Sequence, residues 1–150
     1  MTRNGTLFAM LFAALLAGSL GWTWQRVFGA SRERALMTNG YRSVAVQTED
    51  YELLDVRPGD HVDVLVLFDA KTRGDIIKHA ATILQNVMVL GTARSGKPDG
   101  KGVVYLNLNP MEAQYAALAP RQGEIAVVLR KPGDKEIHPV EMSDFRKLFR

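Results

Sequence analysis

The residues of this 150-residue chain with evident chemical capacity are a glycine-rich basic loop, two closely spaced carboxylates and three histidines. Gly91-Thr92-Ala93-Arg94-Ser95-Gly96-Lys97 fits the start of the G-x-x-x-x-G-K-[ST] phosphate loop and follows an apolar strand candidate. A working loop continues into a Ser or Thr for magnesium and a helix whose first amides face the phosphate. Here Pro98 stands at that position and Asp99-Gly100-Lys101-Gly102 follows, so the segment reads as a flexible basic loop. His61, His79 and His138 share no metal-ligand spacing and read as surface or strand residues. Asp60 and Asp63 flank His61. Asp60, however, closes a Pro-Gly turn, and Asp63 on a strand is placed to pair with an arginine or a backbone amide. Ser43, Ser95 and Ser143 lack a G-x-S-x-G context. The absence of cysteine excludes disulfides, thiolate metal sites and cysteine nucleophiles. No catalytic, cofactor-binding or metal-ligating residue is assigned.

The elements that would carry these residues begin with an uncharged run, Leu7 to Trp24, between Arg3 and Arg26. As a helix it spans about 27 Å, close to the ~30 Å hydrocarbon core of a bilayer. Leu7, Phe8, Leu11, Phe12, Leu15, Leu16 and Leu20 supply the apolar surface, and Trp22 and Trp24 suit the lipid–water interface. Ala17-Gly18-Ser19 offers a weak cleavage site, but the apolar character continues past it, which favours an uncleaved anchor. Ala13, Ala17 and Gly21, with Ala14 and Gly18 beside them, form a small-residue face suited to close helix–helix approach and a homo-oligomer.

The formal charge of +3 sits in the first 40 residues, where Arg3, Arg26, Arg32 and Arg34 face Glu33 alone. Residues 41–150 balance 15 Lys and Arg against 15 Asp and Glu. The basic excess therefore hugs the membrane segment, and the rest of the chain has no bulk field to attract nucleic acid. Counted by the positive-inside rule, Arg26, Arg32 and Arg34 weakly favour a cytoplasmic C-terminal part.

From Tyr41 onward, short apolar segments alternate with turns. Strands are expected at Tyr41–Val46, His61–Phe68, Ile76–Leu84, Asn86–Leu90, Gly102–Leu108 and Glu124–Arg130; the third and fourth could be one long, bent strand. Glu49–Glu52, Asp69–Asp75 and Thr92–Gly102 read as loops. Arg57-Pro58-Gly59-Asp60 suits a type II turn. Asn109 and Pro110 open a helix running to about Ala119. Ser143–Arg150 is a short basic helix candidate, with Phe145, Leu148 and Phe149 on one side and Arg146 among the flanking charges.

The blocks Tyr41–Val46, Arg57-Pro58-Gly59-Asp60-His61-Val62-Asp63-Val64-Leu65 and Leu84-Gln85-Asn86-Val87-Met88-Val89-Leu90 resemble the C-terminal domain of the CpaB/RcpC family of Flp pilus assembly proteins. So does the stretch from Val103 through Asn109-Pro110 to Gly123 and Glu124–Arg130, with Asn-Pro where the family usually has Thr-Pro. The resemblance implies a bacterial inner-membrane, single-pass protein with its domain in the periplasm, which overrules the charge count. It implies a scaffold joining the inner-membrane platform to the outer-membrane secretin of a Flp/Tad (type IVb) pilus machine, with no enzymatic activity, cofactor or small-molecule substrate. Typical members carry a SAF-type β-clip domain after the anchor. Only Gly29–Gly40 stands there in this chain, which implies a shortened member.

The expected organisation is an anchor over 1–28, a linker over 29–40, an RcpC-type domain over 41–138 and a tail over 139–150. The expected fold is α+β and mainly β, a compact barrel-like or clip-like sheet with one helix at about 110–119, after a single transmembrane helix. Phe145, Arg146, Leu148 and Phe149 are the expected partner contact. The alternatives are a scaffold of another envelope secretion system and an envelope hydrolase using Asp60, Asp63 and a histidine.

Overall fold

The computed structural model describes residues 35–149 except Arg73 and Pro98. The expected anchor over 7–24 and its small-residue face lie outside the described residues. Among the described residues, no helix is long and apolar enough to cross a membrane.

From Arg42 onward the described elements are β1 (Arg42–Glu49), β2 (His61–Thr72), β3 (Asp75–Ala93), β4 (Lys101–Leu108), α1 (Pro110–Leu118), β5 (Glu124–Leu129) and β6 (Ser143–Asp144), in that order. The sheet runs β1-β4-β3-β2-β5, with β6 added to β3, and every pairing is antiparallel. The alternation in β4 works as its sequence requires: Val104, Leu106 and Leu108 are fully buried. They meet Val46 of β1, Val62, Val64 and Val66 of β2, Val87 and Val89 of β3, and Ile125 and Val127 of β5 in one core. Each such side chain contributes about 1.5–3 kcal/mol when fully buried.

The mainly β, α+β reading holds; closure into a barrel does not. Among the described residues no strand ladder joins β1 to β5. Side chains bridge that seam instead. Thr48, 1% exposed, places its hydroxyl 3.0 Å from the Ile125 carbonyl oxygen and against the Glu52 carboxylate, while Glu52 Oε2 accepts the Val127 N–H at 2.8 Å.

Three local expectations are corrected. Asp69–Asp75 is not a loop: β2 continues to Thr72 and pairs with β3 down to Asp75, forming an arm beyond the reach of β5. Glu49–Glu52 ends β1 and enters a 3-10 turn over Asp50–Leu53. The tail's helix candidate is shorter than expected: the two-residue β6 precedes a 3-10 helix, Phe145–Phe149. The expected strands Ile76–Leu84 and Asn86–Leu90 are one, within β3. β3 bends at Asn86, whose φ of +56° is a left-handed conformation that asparagine tolerates.

Candidate functional site

The residues that carry the family-like pattern hold the sheet in shape. In the Arg57–Asp60 turn, Asp60 Oδ2 accepts the Arg57 N–H at 2.9 Å and Gly59 has the expected positive φ of +95°. The turn then docks on β3: Gly59 N–H donates to the Val89 oxygen and Val89 N–H to the Asp60 oxygen, both at 2.8 Å. Asp63 stands at the bend. Its Oδ1 accepts the Asn86 N–H at 2.8 Å and the Arg130 Nη1–H at 3.0 Å. The Arg130 side chain, 7% exposed, also reaches Asp134 at 3.0 Å and the Glu136 carbonyl oxygen. That guanidinium, with the Glu136 amide, holds the Asp134 carboxyl below its ordinary value.

Gln85 grips the chain at His138 with both ends of its amide, donating to the carbonyl oxygen at 2.8 Å and accepting the N–H at 3.2 Å. Asn109 caps α1 by accepting from Met111 and Glu112, while Glu112 accepts the Asn109 N–H and Pro110 fills the first turn. Gly123 lies so close to β2 that a Cβ there would sit 2.0 Å from the Leu67 carbonyl oxygen.

The residues with catalytic promise do not converge. Asp60 is used by its turn and Asp63 by Arg130 and Asn86. His61 opens β2, and His138 pairs with Glu136 on the surface. His79 is buried in the arm, stacked on Phe68 with ring centroids 5.7 Å apart. Among the described residues, no three His, Cys, Asp or Glu side chains gather as a metal site would need. The phosphate-loop-like segment ends β3 and enters the β3–β4 loop. There the Asp50 carboxylate accepts the Ser95 N–H at 2.7 Å and pairs with Arg94. Burial alone would raise the Asp50 carboxyl; the Ser95 amide, the Arg94 guanidinium and the Gly96 amide outweigh it and hold it below its ordinary value.

The most distinctive surface is one the sequence reading missed. α1 turns only small residues inward, with Ala116 buried, Ala113 partly so, and Ala119 buried just after the helix ends. Met111, Tyr115 and Leu118, spaced i, i+4 and i+7, stay exposed, Leu118 at 60%. Between this helix and the sheet runs an apolar groove of about 370 Å³, lined by Val66 and Phe68 of β2, Ala81 and Ile83 of β3, and Tyr115, Leu118, Ala119 and Gln122. A second hollow shares Ile83 and Tyr115 and ends at Ile137. The helical spacing of Met111, Tyr115 and Leu118 was a signal that could have found it.

The tail lies along the arm next to this surface. β6 pairs Ser143 with Ala80 and Asp144 with His79, and the same antiparallel register sets His138 opposite Gln85. Arg146 reaches Asp75 at 2.9 Å, so it is engaged within the chain, while Phe145 is exposed. The side chains of Leu148 and Phe149 lie outside what the structure describes.

A family model described as Flp pilus assembly protein RcpC/CpaB matches residues 34–130. No curated protein and no solved structure matches the chain.

Proposed function

The chain belongs to the RcpC/CpaB family of Flp pilus assembly proteins, and on that premise we propose that it is a membrane-anchored periplasmic scaffold that links the inner-membrane platform of the pilus machine to its outer-membrane secretin. A role in pilus assembly follows from the family. The linking role, the location and the single anchor over Leu7–Trp24 are the proposal. The uncharged run supports the anchor, because its length as a helix matches a bilayer core.

One observation carries the docking part of the reading. The polar residues of the family-like pattern are spent on turns, caps and clamps, whereas the groove between α1 and the β2–β3 pair leaves apolar side chains exposed. An apolar segment of a neighbouring pilus-machine protein is the occupant we assign to it. The tail pairs with the arm, and its Phe145 and Arg146 are a separate part of the proposed partner contact.

The test is Leu118→Glu in the full chain. At 60% exposure Leu118 contributes little to the core, so the thermal midpoint stays within about 2 °C of the parent, as for most surface substitutions. Co-purification with the secretin or platform and surface piliation both fall. Unchanged piliation removes the groove from the reading. A compartment-sensitive reporter fused after Arg150 tests location independently: activity expected of a cytoplasmic C-terminus overturns the periplasmic assignment and leaves the groove standing.

A further inference from the structure

The β3–β4 loop begins like a phosphate-binding loop and lacks the helix such a loop requires, yet it has the donors for an oxyanion. Gly96 has a φ of +69°, and just before it the Ser95 amide turns toward a single acceptor. Arg94 brings Nε and Nη2 to the same point from the side, at 3.3 and 3.2 Å. What stands there is the carboxylate of Asp50, 3% exposed, reaching across from a segment 45 residues earlier. Its Oδ1 takes the Ser95 amide at 2.7 Å and its Oδ2 faces the guanidinium. These contacts are charge-assisted, with a guanidinium and a main-chain donor arranged as for a bound oxyanion. The main chain of Asp50 is tied to the same loop separately, through its own N–H to the Gly100 oxygen at 2.9 Å. The tether and the ligand are thus distinct interactions.

We propose that the β3–β4 loop is an oxyanion-binding site whose ligand is the chain's own Asp50 carboxylate, so that it accepts a small free carboxylate once that side chain is removed and none while it is present. The loop's sequence likeness to a phosphate loop then reflects shared anion geometry, with the anion supplied from within.

The experiment compares the full-length chain with Asp50→Gly, both purified in detergent, in sodium formate and in sodium chloride of equal ionic strength. Between ~10 and ~300 mM the Asp50→Gly midpoint rises by about 3 °C or more in formate over chloride, as saturation of a folded-state site requires. The parent responds equally to the two salts. If Asp50→Gly does not fold in chloride, the folded fraction recovered in formate is the readout, and recovery supports the proposal. Adding Arg94→Ala abolishes the formate response. An Asp50→Gly chain that responds alike to both salts, or that fails to fold in either, overturns the proposal. So does a formate response that survives Arg94→Ala.

Discussion

The body of the sheet and the arm that extends from it are built from the same two strands but held by different means. In the body, β2 lies between β3 and β5, and Val62 and Val64 are excluded from solvent. In the arm, Phe68–Thr72 and Asp75–His79 pair with each other, Ile76 is 76% exposed, and support comes from buried Ile77, the Phe68–His79 stack, the two-residue β6 and an exposed Arg146–Asp75 pair. Exposed ion pairs contribute only ~0–1 kcal/mol. Continuous β-strands thus pass from a region that specifies the fold into one whose apolar surface remains available for contact, and the groove lies where the two meet.

This contrast can be broken by substitution. The largest effect belongs to the body: Leu106→Ala, at a fully buried position, costs about 2–5 kcal/mol in denaturant unfolding. A loss below ~1 kcal/mol would place the core elsewhere. Next comes the clamp at the bend. Asp63→Ala leaves the Asn86 amide and one arm of Arg130 without an acceptor, an expected loss of about 1–3 kcal/mol in the same measurement. If Asp63→Ala leaves the unfolding midpoint where it was, the clamp does not secure the bend.

Acid sharpens the comparison. Asp50 and Asp134 both lie below their ordinary values in the folded chain. A folded value below the unfolded one gives stability that is present above about pH 3.9 and lost as pH falls through the folded value. Stability of the parent therefore declines on acidification past that point. Asp50→Asn, less stable at neutral pH, loses less on the same descent. Parallel acid profiles for parent and variant would show that Asp50 is not one of the titrating groups.

The smallest effect belongs to the arm. Removing residues 142–150 takes away β6 and the Arg146–Asp75 pair, and changes global stability by no more than ~0.5 kcal/mol. Amide exchange accelerates around His79 and Ala80 alone. A global loss as large as that of Leu106→Ala would make the arm part of the body.

How much of this could be read from the chain follows the same division. Short apolar segments set between turns marked β2, β4 and β5, and the Asn109-Pro110 cap marked α1 to within a residue. The arm escaped notice because Asp69, Lys71 and Asp75 are exposed and polar, which looks like a loop, while its buried face is carried by Ile77 and His79 of β3. Asp50 sits in the acidic stretch Glu49–Glu52 and reads as solvated; its burial is decided by the Arg94–Ser95 segment far along the chain. The groove draws on β2, β3 and α1 together, and only its α1 side, through the helical spacing of Tyr115 and Leu118, was marked within one segment. Asp60 and Asp63 were legible as turn and pairing residues from their local setting, and both serve in that way.

The seam between β1 and β5 has a mechanical meaning. A backbone ladder pulled along its strands loads its hydrogen bonds in parallel, whereas a join made by Thr48 and Glu52 rests on isolated stitches. Traction that drew these two edges apart would find its line of least resistance there, and the domain could part along it while the ladders on either side stayed whole.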